Sequence, residues 1–307
     1  MASGRAPAGG ARSPAGLSPS TLFIVATLIW GSTWLAIKFQ LGSVAPNVSV
    51  AYRFALASLV LAAWCVLSSR SLALPRTAHG WIAAQGLTFF GLNYVAVYEA
   101  ERHVASGLVA VVFSTSVFMT PLGARLAFRI PVARRTLLGA VLGVAGVALL
   151  FLPELDAARH GGAIAVGIGW ALASTVIAAI GNLVSMRMQR DRLPVLPATA
   201  WGMAYGALVA AATAVLRGEA WTFDPSWPYV ASLAYLSLFG SVAAFLAYLT
   251  LLAKAGPGPA SFVGVSTPVI AMLLSTAFEG YAWTMTAVAG IALAVVGNVI
   301  ALRATRR

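Results

Sequence analysis

The chain has 307 residues, of which 60% are hydrophobic and only 9% charged, against about 45–50% and about 25% in soluble domains. That much apolar surface excludes a water-soluble enzyme. A single cysteine, Cys65, excludes an internal disulfide and a thiolate zinc site.

Residues 1–20 are rich in Ala, Gly, Pro and Ser and carry Arg5 and Arg12. They contain no apolar run, so they are expected to be a disordered cytoplasmic tail and not a signal peptide. Ten apolar stretches follow, near 21–41, 46–68, 80–99, 105–124, 135–153, 162–186, 197–216, 228–253, 259–278 and 283–302. Runs of this length predict transmembrane helices, because a helix satisfies its own backbone in lipid and a barrel strand would alternate over about ten residues. The expected fold is an all-α integral membrane protein of ten transmembrane helices in a lipid bilayer.

The net charge of +12 has a topological meaning. If the N-terminus is inside, 15 of the 20 basic residues fall on inner segments, among them Arg70, Arg76, Arg125, Arg129, Arg134, Arg135, Arg187, Arg190, Arg192, Lys254, Arg303, Arg306 and Arg307. Only Arg102, Arg159 and Arg217 fall outside, while Glu101, Glu154, Asp156, Glu219, Asp224 and Glu279 are outer acids. This asymmetry predicts both termini in the cytoplasm and accounts for the charge without nucleic acid. Trp81, Trp221, Trp227 and Trp283 fall at expected membrane interfaces.

An internal repeat is the most informative pattern. Leu87 to Gly91 reads LTFFG and Leu236 to Gly240 reads LSLFG. Pro46, Gly139 and Gly146 recur as Pro197, Gly290 and Gly297, and Ser114-Thr115-Ser116 recurs as Ser266-Thr267-Pro268. The halves run 21–155 and 162–303 with five spans each. An odd number per half sends the second through the membrane in the opposite sense, which is the inverted repeat of alternating-access carriers.

The order of these features resembles the drug/metabolite transporter superfamily, specifically the EamA-type permeases. The residues that carry the resemblance are Trp30-Gly31-Ser32 and Lys38, Pro46 with Arg53, the HVASGL of His103 to Leu108, Ser266-Thr267-Pro268-Val269, Phe278-Glu279 and the glycine-rich last span. The resemblance implies a ten-helix inverted-repeat permease that exports metabolites, amino acids or drugs. Departures are Arg129 in place of a glutamate, Ser116 in place of a proline, and Gly181-Asn182 without a tryptophan.

The substrate-binding candidates are polar or aromatic residues at mid-span. Trp30 and Trp34 share one helix face, as do Tyr94 and Tyr98, and facing each other they would form an aromatic pocket. Ser32, Asn93, Ser114, Ser116, Asn182, Tyr248 and Ser266 add hydrogen-bonding groups, although such residues also bond the carbonyl one turn back. Lys38 and Arg53 are cations within spans. They either attract a carboxylate substrate or sit near the outer interface on loop carbonyls or Glu279. Glu99 is either a proton-coupling carboxylate or a salt bridge to Arg102 at i,i+3. Pro121 and Pro268 can kink their helices and are the gating candidates. The glycines at 139, 143, 146, 290 and 297 permit close helix contact.

The function these readings favour is inner-membrane export of small organic metabolites, most simply amino acids including aromatic ones. The alternative is efflux of drugs or cationic dyes, which would want an acid deep in the cavity. An intramembrane enzyme would need a nucleophile with a base inside the spans, and His79, His103 and His160 lie in or beside loops. An ion channel would usually want subunit symmetry. No catalytic residue, metal or cofactor is expected, and a monomer is sufficient.

Overall fold

A computed structural model describes residues 17–150, 162–255 and 257–303. Most of the expected tail, together with Glu154, Asp156, Arg159, His160, Arg306 and Arg307, lies outside the described residues. The described chain is helical and forms ten runs. These are α1 (Pro19–Lys38), α2 (Pro46–Leu67), α3 (Arg76–Gln85, Gly86–Leu92 and Asn93–Glu101), α4 (Ser106–Ser114 and Ser116–Phe128) and α5 (Arg134–Leu150). They continue as α6 (Ala163–Arg190), α7 (Val195–Leu216), α8 (Trp227–Tyr235, Leu236–Ala243 and Ala244–Ala255), α9 (Pro257–Phe278) and α10 (Met285–Arg303). Among the described residues, α1, α2, α4, α6, α7 and α8 contain stretches long and apolar enough to cross a membrane, and α9 and α10 hold shorter apolar helices.

Local chemistry sets the ends of these helices. Pro19, Pro46 and Pro228 sit in the first turns of α1, α2 and α8, where the missing N–H costs nothing. The Ser18 hydroxyl caps α1 by accepting from the Thr21 amide at 3.1 Å. Gly218 and Gly280 follow helix ends at φ +65° and +68°, a left-handed turn that glycine adopts without penalty.

Two interruptions position the centre of the protein. The LTFFG and LSLFG sequences fall in π-helical segments, Gly86–Leu92 in α3 and Leu236–Ala243 in α8. A π turn leaves backbone carbonyls outside the α ladder, and the Trp30 indole N–H donates to the Gly240 carbonyl at 3.1 Å. The bulge therefore orients a tryptophan of the opposite half. In α4 the helix breaks at Thr115, where the Ser114 and Thr115 hydroxyls donate to the Val111 and Val112 carbonyls at 2.7 and 2.6 Å. Such back-bonding bends helices, and Pro121 removes a further amide from the same helix. Pro268 lies inside α9, which has no such break.

The helices pack α5 on α10, α2 on α7 and α8, α3 on α6 and α7, α1 on α8 and α9, and α4 on α6 and α9. Glycine makes the closest of these contacts possible. A Cβ on Gly146 would lie 2.6 Å from the Gly290 carbonyl oxygen, and one on Gly297 would lie 2.6 Å from that of Gly139. Backbone meets backbone between α5 and α10, as the small-residue pattern predicts. The main core gathers Phe54, Phe90, Phe245, Val109 and Leu236, all almost fully buried. Trp81, Trp221, Trp227 and Trp283 are exposed.

Candidate functional site: a cavity open at one end

A cavity of about 800 Å³ lies between the helices, a size suited to a small organic ligand. Its deep wall is aromatic: Trp30 and Trp34 from α1, Phe89 and Tyr94 from α3, Phe113 from α4, and Phe245 and Tyr248 from α8. The rings brace one another. Trp30 lies 5.0 Å from Phe245 and 5.1 Å from Tyr248, and Trp34 lies 5.4 Å from Phe113, with tilted or edge-to-face geometry. Hydrogen-bonding groups interrupt this wall: Thr33, Asn93, Ser114, Ser116, Thr120, Asn182, Ser185 and Thr267. Among the described lining residues no acid appears, and Arg190 is the charged one.

We take the side lined by residues 130–133, Gln189 and Arg190, at the ends of α4 and α6, as the mouth. The Arg190 guanidinium stands 4.5 Å over the Phe128 ring, a cation–π contact. Arg125, Arg129, Arg187 and Arg192 are close to these residues in sequence, and Asp191, the one acid among the described residues of these helix ends, is held by Arg187 at 3.1 Å. The rim is therefore strongly basic and favours approach of anionic groups.

The opposite end is closed by polar contacts between segments far apart in sequence. Lys38, at the end of α1, donates to the backbone carbonyls of Glu101 at 2.5 Å and Val104 at 2.9 Å and pairs with Glu279 at 3.6 Å. Glu279 also accepts from the Ser106 amide and hydroxyl. Glu99 accepts from Arg217 at 2.7 Å and Arg102 at 3.1 Å. Gln40 donates to the Tyr229 carbonyl at 3.0 Å, Asn47 to Glu219 at 2.6 Å and Ser43 to Asp224 at 2.6 Å. The Ser43 hydroxyl, followed by the Ser226 amide, lowers the pKa of Asp224.

Of the residues singled out in sequence, Trp30, Trp34, Asn93, Tyr94, Ser114, Ser116, Asn182, Tyr248, Pro121 and Pro268 line this one cavity. Four binding candidates do not. Ser32 bonds the Leu28 and Ile29 carbonyls and the Tyr235 hydroxyl. Lys38 belongs to the closed end. Tyr98 is fully buried beyond the cavity floor, and Ser266 is absent from the wall. Glu99 is a salt-bridged residue of the closed end. Arg53 does not reach an interface: it is wholly buried, donating to the Ser241 hydroxyl at 3.0 Å and lying 4.5 Å over the Tyr94 ring. Glu101, expected in an outer loop, is wholly buried as the last residue of α3. Sequence reasoning missed Phe89, Phe113 and Phe245 on the wall. The LTFFG repeat holds Phe89, and its π geometry is the signal that marks it.

Membrane-length helices around a solute-sized chamber have the construction of a transporter. Residues 17–152 and 165–303 each match the EamA-like transporter family. A curated relative, "Uncharacterized inner membrane transporter YedA" of Escherichia coli (strain K12), is 30% identical over 271 residues, covering 88% of this chain and 85% of that protein. Protein PagO of Salmonella typhimurium is 24% identical over 278 residues, covering 87% and 86%. A solved crystal structure superposes with a TM-score of 0.67 at 22% identity, covering 94% of this chain and 99% of that one, and so shares the fold. The chain belongs to the EamA-like transporter family and is a membrane transporter.

Proposed function

We propose that this protein exports small organic metabolites across the cytoplasmic (inner) membrane by alternating access, with amino acids, aromatic ones included, as the best-matched substrates. The cavity carries the reading. Its aromatic walls suit an apolar or flat side chain. Its hydroxyls and amides suit a zwitterion's two ends, and a basic mouth favours the carboxylate. A lipophilic cation would meet no carboxylate on the described wall.

Two inverted five-helix halves, 21–155 and 162–303, would rock about this chamber. The family matches each half separately. Exchanging α1–α5 with α6–α10 also maps the packing onto itself: α1 on α9 becomes α6 on α4, and α3 on α7 becomes α8 on α2. The two π segments exchange likewise. The basic mouth would then face the cytoplasm along with both termini, which fits the distribution of Lys and Arg. The chamber lies within one chain, so a monomer would suffice.

The test is release from proteoliposomes loaded with labelled amino acids and dyes. Saturable amino acid flux, lost in Trp34→Ala and Asn182→Ala, is the expected result. Flux of lipophilic cations alone would replace this reading with drug efflux.

A further inference from the structure

The closed end contains a carboxylate that none of its ion pairs uses. Glu101 is 0% exposed, and neither carboxylate oxygen has a hydrogen-bond partner among the described residues. An ionised carboxylate stripped of water and of donors is strongly disfavoured, whereas its neutral form is tolerated.

The charged groups around it do not relieve this. Lys38 from α1, Glu279 after α9 and Arg53 from α2 are near enough to act on it electrostatically. The three Lys38 protons are already directed at two backbone carbonyls and Glu279. Arg53 spends its Nε on Ser241, and its Nη1 is itself without a hydrogen-bond partner among the described residues. On its own helix, the Tyr98 hydroxyl lies against Arg53 and makes no hydrogen bond to the carboxylate, and Glu99 is occupied by Arg102 and Arg217. From α8, Tyr229 is paired with Ser49. α6 brings Gly167 against Ala100 and His103, with no charged side chain there among the described residues.

We propose that Glu101 is a proton-binding site, neutral while this end of the transporter is closed and ionised when the end opens. Opening would hydrate the carboxyl group, whose O–H bond breaks as the proton passes to water on that side. Closing re-forms the O–H bond with a proton taken from the same side. The proton is therefore exchanged with one compartment only and is not carried across. Acidity on that side holds the end shut, and each step involves one proton, so the closed-to-open ratio changes by at most about tenfold per pH unit.

The binding site needs only the fold described above. Its link to opening depends on alternating access, and the experiment separates the two. Infrared difference spectra are recorded on the purified full-length protein between about pH 5 and about pH 9, a range that spans ordinary and buried glutamates. A spin-label pair at Phe39→Cys and Met285→Cys, both exposed positions beside the closed end, reports its opening. The expected result is a protonated-carboxyl band that survives Glu279→Gln and disappears in Glu101→Gln. The label distance should lengthen with rising pH in the parent and stay short in Glu101→Gln. Absence of the band, or its survival in Glu101→Gln, overturns the site. A Glu101→Gln protein that fails to fold also overturns it, because the amide reproduces the neutral group's size and charge. A band that titrates while the distance stays fixed overturns the link to opening and counts against alternating access.

Discussion

Replacing Glu279 by glutamine removes the charge that joins three segments at the closed end. In the native protein its carboxylate accepts from the Ser106 amide at 3.3 Å and from the Ser106 hydroxyl, and it faces the Lys38 ammonium at 3.6 Å. The side chain is 13% exposed and that of Lys38 is 28% exposed, so water screens the pair only in part. A hydrogen bond to a charged group contributes about 1.5–3 kcal/mol, and breaking a buried pair costs about 3–5 kcal/mol. Lys38 keeps two carbonyl acceptors and the glutamine keeps an oxygen for Ser106, which reduces the loss to about 2 kcal/mol. That corresponds to about a thirtyfold shift toward the open form. The assay is the rate at which a membrane-impermeant thiol reagent modifies Ala105→Cys, which stands beside Ser106. Cys65 is buried and does not contribute. The rate should rise about thirtyfold in Glu279→Gln, and Lys38→Met should raise it less because Glu279 then keeps both Ser106 donors. A Glu279→Gln rate within about threefold of the parent would refute the idea that this residue holds the end shut.

Four further outcomes are expected. Gly146→Ala should lower the unfolding temperature, since its Cβ meets backbone of α10 at 2.6 Å and the overpacking costs about 1–3 kcal/mol or more. Gly80→Ala, in α3 with nothing within 4 Å of the added carbon, should raise it by the equivalent of about 0.5–1 kcal/mol. Asp224 has a lowered folded pKa, so its stabilisation is present above the unfolded value of about 3.9 and is lost as pH falls through the folded one. The unfolding-temperature gap between the parent and Asp224→Asn should therefore close as the pH is taken from about 7 to about 3. Glu99→Gln should cost stability by freeing Arg102 and Arg217, and it should leave any pH dependence of transport as it is in the parent.

The helices were legible because lipid-length apolar runs admit few alternatives. Their ends were less so: α3 starts at Arg76, behind Pro75, before hydropathy rises. The cavity wall was legible where a polar or aromatic side chain interrupts an apolar span, as at Trp34, Asn93 and Asn182. Tyr98 shares a face with Tyr94 but sits one turn deeper, where the helices converge, so depth and not helical phase decides its place. Ser32 was lost to its own backbone, which a serine in a helix always has within reach. Glu101 read as a loop acid because its burial comes from α1, α2 and the end of α9 arriving from distant sequence. Lys38 was readable in its local form, as a cation drawn to loop carbonyls and Glu279, and the structure has that arrangement.

The π segment at Gly86–Leu92 gives α3 one residue more than an unbroken ladder would need. Deleting a single position there would let the segment close into an ordinary α turn. The wide turn already absorbs the surplus residue, so Asn93 and Tyr94 would keep their places on the chamber wall. A lone codon lost from an unbroken stretch of α3 would instead turn everything downstream by about 100° and re-clad the binding surface. The second bulge, in α8, gives Phe245 and Tyr248 the same shelter.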